Sequence, residues 1–462
     1  MKKVLFTVLA GVLAGMTFVP ALAQDDSEKK FEFNGEVRAR YEYLNNYLDL
    51  HDNDGSGDPQ DDSASLAPYR VMVGMTGNFA KNVTGHVDLQ YLGLFGDQFS
   101  PQWGFNAPPG QYGDPYNSFT YGLQVYTGWM EMAKIGGSDF GARLGRQEDT
   151  YGTELFMGDN DYYGGLSFDG LRGMWQHGHS DLNVFYYKLA EDNGPFPGTQ
   201  GGANDSDLFG ATYDWKFETM GTVGGYLLFG QDLNGNGPVG FEDSSIATYG
   251  ARWNRGMMSG DKLNMFDWNI EAAVQDGDEG DPEPIFGGNP SIKLTGWIVE
   301  GWFAFNFNAG DTHGRAHIGT LMTSGDDPNT TDEDESFTTY YGDFHAYNRF
   351  GDLDWVDLDG QHNITDFNIG YEHWFGEQHY VMLTYHMFTA TESAAGVSDD
   401  LGDEIDLTYN FQYSKNLAFQ FTMGQANPGD GAFTLSDPPL FTYLPGDTDP
   451  VQRITAQAKL TW

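Results

Sequence analysis

Cysteine is absent from this 462-residue sequence. The chain can therefore form no disulfide framework, no thiolate metal site and no cysteine nucleophile, and it offers no cysteine for N-terminal lipidation. If the protein is exported, its stability must come from another source. A closed β-barrel is one such source, because closure leaves no strand edge unpaired.

Basic residues are scarce. The chain holds 23 lysines and arginines against 67 aspartates and glutamates, a net charge of −44. Such an acidic chain would repel a phosphate backbone, which excludes nucleic-acid binding. The acidic residues concentrate between strand-like windows, as in Asp332-Glu333-Asp334-Glu335. We therefore expect most of the negative charge in loops and much of the arginine on the inner face of strands.

Long hydrophobic runs are missing beyond the N-terminus. Lys2 and Lys3 precede an apolar stretch over 4–19, and Ala21-Leu22-Ala23 fits a signal-peptidase site. The sequence predicts a signal peptide over 1–23 and a mature barrel over 24–462. Removing the two lysines leaves 21 basic residues against 67 acidic ones, a net charge of −46. No later window reaches ~18 apolar residues, so we expect no transmembrane helix in the mature chain.

Aromatic residues make up 15% of the chain and glycine contributes 62 residues, a composition that favours strands and tight turns. Period-two alternation recurs from Phe31 onward. In the final window, Val451 to Trp462, one face is apolar and the other is polar. A chain that ends on such a strand, with an aromatic last residue, is typical of a bacterial outer-membrane barrel. There the apolar face meets lipid and the polar face meets the lumen.

Short and long connections between the strand-like windows alternate along the chain. Short turns such as 80–82 and 414–416 alternate with long segments such as 276–290, 325–360 and 425–449. Outer-membrane barrels show this asymmetry, with short periplasmic turns and long extracellular loops. The predicted fold is an all-β transmembrane antiparallel barrel of about 18 strands with acidic outer loops. Alternation is poor near 184–188 and 223–229.

Several stretches carry a family resemblance. They read G-R-Q-E at 145–148, Y-G at 151–152, S-F-D-G-L-R at 167–172 and E-I-D-L at 404–407, with G-E-V-R-A-R-Y-E at 35–42. In these patches the chain resembles the alginate export porins, and the resemblance spans nearly all of the mature sequence.

The resemblance implies a monomeric outer-membrane barrel in contact with lipid. It also implies an electropositive constriction that passes an anionic uronate polymer. A barrel of this kind would be assembled by the barrel-assembly machinery through its C-terminal strand.

Strict alternation places several basic side chains on lumen faces. The first and last strands of a closed barrel are neighbours, so most of these residues share one wall. The candidates for lining the pore or binding substrate are Arg38, Arg40, Arg70, Arg143, Arg172, Arg252, Arg453 and Lys459. We predict that Arg172 faces inward only if Asp169-Gly170 forms a bulge, and that Arg146 faces outward unless its strand is bulged.

Guanidinium groups suit anion selection because they stay charged and hold carboxylates through a planar fork. A row of weak, interchangeable sites would let a polymer pass without becoming trapped. In the alternative interpretation, the arginines pair with inward acids such as Glu36, Glu42 and Glu404 and merely brace the barrel. A charge-lined lumen is compatible with both roles.

One loop fits a metal-binding pattern. Asp232, Asn234, Asn236 and Asp243 follow the D-x-N-x-N-G-x5-D spacing of a calcium loop, with glycine at the sharp turn. The alternative is a glycine-rich turn between two strands. We expect no other cofactor.

Enzyme motifs are absent: the chain has no G-x-S-x-G elbow, no H-E-x-x-H and no phosphate loop. Acid pairs are too common in the loops to mark a glycosidase site. We therefore expect a passive channel for an anionic saccharide or another organic anion. The alternatives are a general or cation-preferring porin whose acidic loops concentrate cations, a barrel enzyme acting on envelope polymer or lipid, and a conduit around a redox partner.

Overall fold

Eighteen long strands form an antiparallel barrel in which each strand pairs with its neighbours in sequence. The structure, a computed structural model, describes residues 30–46, 63–95, 122–190, 206–232, 244–259, 262–279, 292–310, 312–327, 329–330, 332–337, 341–343, 349–353, 362–393, 396–431 and 449–462. The signal peptide predicted over 1–23 lies outside these residues. Among them, no helix is long and apolar enough to span a membrane.

The barrel strands are numbered β1 to β18 in chain order. They are β1 Phe31–Asn45, β2 Pro68–Ala80, β3 Val83–Leu94, β4 Gly122–Met132, β5 Phe140–Gln147, β6 Phe168–His177, β7 Ser180–Ala190, β8 Ser206–Phe217, β9 Gly221–Asp232, β10 Ser244–Arg255, β11 Phe266–Glu279, β12 Ile292–Ala309, β13 Thr312–Thr323, β14 Ile364–Phe375, β15 His379–Ala390, β16 Asp400–Gln412, β17 Leu417–Pro428 and β18 Val451–Thr461. Four short strands join them: Ala64–Leu66 beside β1, Glu333–Asp334 beside β12, and a separate hairpin of Met258–Ser259 with Lys262–Leu263.

Strand β18 closes the barrel against β1. The pairing runs from Glu36 opposite Thr461 to Asn45 opposite Gln452. The Trp462 ring lies over Gly35, where a Cβ atom would come within 2.2 Å of it, so this close approach requires glycine. Closure satisfies the backbone groups of both end strands, which is the condition for crossing lipid with strands. The closed 18-strand barrel confirms the predicted fold class.

Apolar side chains cover the outer surface of the barrel. Tyr41, Leu89, Ile369 and Ile405 are all 40–49% exposed. The sequence neighbours of Tyr41, Leu89 and Ile405 point into the lumen and are polar and buried, as Arg40 illustrates. An exposed apolar belt of this kind is the surface that lipid covers.

The connections differ from the sequence-based expectation in two ways. Strands β11 and β17 run on to Glu279 and Pro428, past the loop starts expected at 276 and 425. The segment 325–360, expected to be an outer loop, has described parts that pack inside the barrel, where Phe337 and Leu353 are fully buried.

Two segments fill part of the lumen. We call residues 148–167, between β5 and β6, the inward loop, and the described part of 324–353, between β13 and β14, the second segment. Phe156 of the inward loop packs against Phe337 of the second segment and Tyr226 of β9, with ring centroids 5.5 and 5.3 Å apart. The buried cluster also takes in Leu155 and Met157.

This apolar filling explains why two windows alternate poorly. Phe185 and Tyr187 of β7, and Tyr226 and Leu228 of β9, face the lumen and join the buried cluster. Because their outward neighbours meet lipid and are also apolar, both faces of these strands are hydrophobic. Period-two alternation disappears wherever both faces of a strand are apolar.

Candidate constriction site

The inward loop starts where the short strand β5 ends. The last pair of β5 with β6 joins Gln147 to Phe168, and the chain between them turns into the barrel. The return passes Gly165, whose φ is +76°. A Cβ atom there would lie 2.3 Å from the hydroxyl oxygen of Tyr126, so glycine is needed for both conformation and space.

Three cations of the barrel wall converge on Asp161 of the inward loop. Arg70 Nη1 donates a hydrogen bond to Asp161 Oδ1. Arg38 Nη1 and Lys459 Nζ lie 3.5 and 3.6 Å from Asp161 Oδ2. Burial raises the pKa of Asp161, but the three cations outweigh burial and hold it below its usual value. Asp161 is therefore an ionised carboxylate bound by a cationic site.

Strand register explains why the cations meet. Arg38 lies directly opposite Lys459 on β18 and opposite Arg70 on β2. Like charges facing each other destabilise a sheet unless a counter-charge lies between them. Asp161 supplies one such charge. Glu36 supplies another, 3.4 Å from Arg38 Nε and 3.1 Å from Lys459 Nζ.

Two tyrosines of the inward loop cover the remaining arginines. The Arg40 guanidinium carbon lies 3.6 Å from the ring centroid of Tyr162. Arg453 Nη2 donates to the hydroxyl oxygens of Tyr162 and Tyr163 at 2.5 and 3.1 Å, and the Tyr163 hydroxyl donates to Glu42 Oε2 at 2.8 Å. Cation–π and charge-assisted contacts thus tie the loop to the wall.

The basic stripe is defined as five wall residues: Arg38, Arg40, Arg70, Arg453 and Lys459. The structure brings all five together, as strand alternation predicted. The four arginines are only 2–6% exposed because the inward loop covers them, whereas the Lys459 side chain remains 35% exposed. That these residues bind substrate stays a prediction.

Arg349 links both lumen segments to the wall. Its Nε and Nη2 donate to the two carboxylate oxygens of Glu300 on β12 at 2.9 and 3.2 Å. It also donates to the backbone carbonyls of Asp343 and Thr153 at 2.8 and 2.9 Å. Thr153 in turn donates to Glu300 Oε2 at 2.9 Å. One fully buried guanidinium therefore holds the inward loop, the second segment and β12 together.

The two lumen segments also bring three carboxylates together. Oxygens of Glu154, Asp159 and Asp343 all lie within 4.8 Å of one another. Burial and repulsion from Asp159 and Asp343 raise the pKa of Glu154, and burial and repulsion from Asp161 and Asp343 raise the pKa of Asp159. Oxygen ligands at this separation are of the kind that calcium takes.

The three other predicted lumen arginines each have an acidic partner. Arg143 pairs with Glu131 at 2.7 Å, Arg172 with Asp149 at 2.7 Å and Arg252 with Asp214 at 2.6 Å. The Arg143 and Arg252 pairs lie on strands between β4 and β10, and the Arg172 pair joins β6 to the inward loop. All three lie apart from the basic stripe.

The expectation that Arg172 needs a bulge to face inward is wrong. The register of β5 with β6 runs without a shift, and Asp169 points outward with Arg146. No bulge is needed because the face of β6 that carries Arg172 also carries an apolar residue, Phe168. Phe168 packs on the apolar filling of the lumen.

The predicted calcium loop cannot be placed. Asp232 ends strand β9, while Asn234, Asn236 and Asp243 lie outside the described residues. Calcium binding there stays a prediction.

Sequence reasoning missed the lumen segments and therefore Asp161, Tyr162 and Arg349. One feature could have indicated them: Leu-Phe-Met at 155–157 is too apolar for an exposed connection. Arg315 of β13 was also missed, although the alternation of its strand places it on the lumen face. It pairs with Asp267 at 2.8 Å and stacks on Trp302 at 4.8 Å.

A closed 18-strand barrel with a lipid-facing apolar belt and a charged lumen defines an outer-membrane channel. Solved structures with this fold include three from Pseudomonas aeruginosa. OccK2 (OpdF) is 11% identical, with a TM-score of 0.56 and coverage of 94% of this chain and 97% of that one. OpdO is 13% identical, with a TM-score of 0.52 and the same coverage. OccK2 in complex with glucuronate is 11% identical, with a TM-score of 0.54 and coverage of 93% and 98%.

The family is shown by the sequence itself. The family model for alginate export matches residues 123–435. The protein therefore belongs to the alginate export family and lies in the bacterial outer membrane. No curated protein matches the chain significantly.

Proposed function

We propose that this outer-membrane channel passively conducts an anionic saccharide, with a polyuronate as the leading candidate, and that the basic stripe selects it. Another organic anion would satisfy the same chemistry. The observation that carries the proposal is the convergence of Arg38, Arg70 and Lys459 on the Asp161 carboxylate.

Asp161 acts in this proposal as the chain's own substitute for a substrate carboxylate. A uronate polymer carries one carboxylate on each ring, and arginine holds carboxylates through two parallel hydrogen bonds. A uronate that displaced Asp161 would take over its cationic partners, and the remaining arginines would offer further sites along the wall. One neighbour in fold was solved with glucuronate, a monomeric uronate, which supports this choice of substrate class.

A cation-preferring channel is the second candidate. It is favoured by lumen acids with few cationic partners: Asp366 pairs with His386 at 3.0 Å, and Glu404 accepts backbone hydrogen bonds from Asp352 and Leu353. We further propose that the barrel works as a monomer and that the assembly machinery recognises β18, which ends beside the aromatic Trp462.

Reconstitution in a planar bilayer tests the function. We expect a reversal potential across a potassium chloride gradient that indicates anion preference, and we expect block by oligouronates of defined length. Arg38→Gln and Lys459→Gln should reduce both. Cation preference without uronate block would contradict the proposal and favour the second candidate.

A further inference from the structure

We propose that the lumen wall formed by β14 to β18 and β1 carries a saccharide-binding track leading from the short-turn end of the barrel to the basic stripe. This inference rests on the proposed function and specifies where the chain of sugar rings would bind. The track consists of six side chains: Trp374, Tyr380, Asn410, Gln420, Gln457 and Arg40.

Strand register places these six side chains in one row. Each residue is the direct cross-strand partner of the next, from Trp374 opposite Tyr380 to Gln457 opposite Arg40. Neighbouring strands lie ~4.8 Å apart, so five steps span roughly 24 Å. Because barrel strands tilt by ~40°, the row also climbs roughly 15 Å along the barrel axis. The row therefore connects the short-turn mouth with the constriction.

The lower part of the row lines a cavity of about 490 Å³. Trp374, Tyr380, Asn410, Gln420 and Gln457 are among the residues that line it, together with Lys459 of the basic stripe. The cavity therefore shares Lys459 with the cationic site that binds Asp161.

The start of the track is aromatic. The rings of Trp374 and Tyr380 have centroids 4.9 Å apart, and the Tyr380 hydroxyl donates to Glu372 at 2.9 Å, which fixes its orientation. Large rigid aromatic surfaces beside a few polar groups are typical of sites for amphipathic ligands. A pyranose ring has such a character, since its C–H face is apolar and its rim carries hydroxyls.

The middle of the track offers free amides. Among the described residues, the side chains of Asn410 and Gln420 have no hydrogen-bond partner. Gln457 accepts two hydrogen bonds from Arg40 through Oε1, at 3.0 and 2.7 Å, so its amide nitrogen remains available. An amide both donates and accepts, which matches sugar hydroxyls. One amide on each strand gives a repeat close to the length of a pyranose ring.

The order of side chains suits a uronate polymer that enters from the short-turn end. Aromatic rings and neutral amides would take the sugar faces and hydroxyls first, and the cations of the stripe would take the carboxylates next. Recognition of the sugar ring is thereby separated from recognition of its charge.

The test measures block of single channels by a mannuronate oligomer added on the short-turn side. Trp374→Ala and Gln420→Ala should each raise the half-blocking concentration by about threefold to tenfold, the range for one lost contact. Gln176→Ala is the matched control, because this amide of β6 lies at the same end of the barrel on a distant strand. Reversal potential in potassium chloride is measured alongside, as a readout of the basic stripe.

Three results would overturn the track. If the oligomer blocks wild type and both variants at the same concentration, the track is wrong while the proposed function stands. If block and anion selectivity fall together in both variants, these side chains act through the basic stripe and not as a separate sugar site, and the track is wrong. If wild type shows no block, the proposed function fails as well. Heat-modifiable migration in gels shows whether each variant forms a folded barrel. If Trp374→Ala does not fold, the half-blocking concentration of Gln420→Ala alone tests the track.

Discussion

Replacing Asp161 by asparagine should make the channel more anion-selective. The site contains five charges: Arg38, Arg70 and Lys459 are positive, whereas Glu36 and Asp161 itself are negative. Their sum is +1, and it becomes +2 in Asp161→Asn. The variant also frees the cations from a carboxylate that competes with any anionic solute.

The magnitude follows from the distances. A permeating anion that binds the freed cations would lie about 4 Å from each, as Asp161 does at 3.5 and 3.6 Å. The substitution removes one unit of negative charge at a similar distance from that anion. A unit charge at 4 Å is worth ~1 kcal/mol in water. The solvent-screened value applies because a third of the Asp161 side chain is exposed. One kcal/mol corresponds to a roughly fivefold change in the anion-to-cation permeability ratio.

The assay is the reversal potential in a tenfold salt gradient, measured at low ionic strength so that screening does not hide the effect. Asp139→Asn is the control, since this exposed turn residue pairs with His177 outside the lumen. An unchanged potential, or a shift toward cations, would refute the view that Asp161 occupies the anion-selective site.

Two further predictions concern the packing of the barrel. Arg349→Met should release both lumen segments from the wall, because breaking a buried ion pair costs ~3–5 kcal/mol. Single-channel conductance and current noise should therefore rise. Glu300→Gln should change both in the same direction but by less. On the outer face Arg146 pairs with Asp169 at 2.5 Å, so Asp169→Leu alone should destabilise the barrel by roughly 2–4 kcal/mol by leaving an arginine in lipid. The double variant Arg146→Leu/Asp169→Leu should recover most of that loss in urea unfolding. If the single and double variants unfold alike, the pair does not face lipid.

Much of the fold could be predicted from the sequence. Alternation in β1, β2 and β18 identified lumen faces correctly, and it brought Arg38, Arg40, Arg70, Arg453 and Lys459 to one wall. It succeeded because side chains alternate strictly on a strand whose two faces meet different solvents. The lumen content could not be predicted, since the inward path of 148–167 depends on contacts with strands distant in sequence.

The closed barrel, its lipid-facing belt and its family can be predicted from the amino-acid sequence, because they depend on local periodicity and short motifs. The partners of the lumen cations depend instead on tertiary packing. Asp161 lies far along the chain from Arg38 and Arg453, and no local pattern links them. They meet because Phe156 of the inward loop packs against the second segment and β9, and because Arg349 bonds the inward loop to β12. All of these contacts are long-range. The same register that closes the barrel aligns Trp374 to Arg40 across six strands, an arrangement that no single strand encodes.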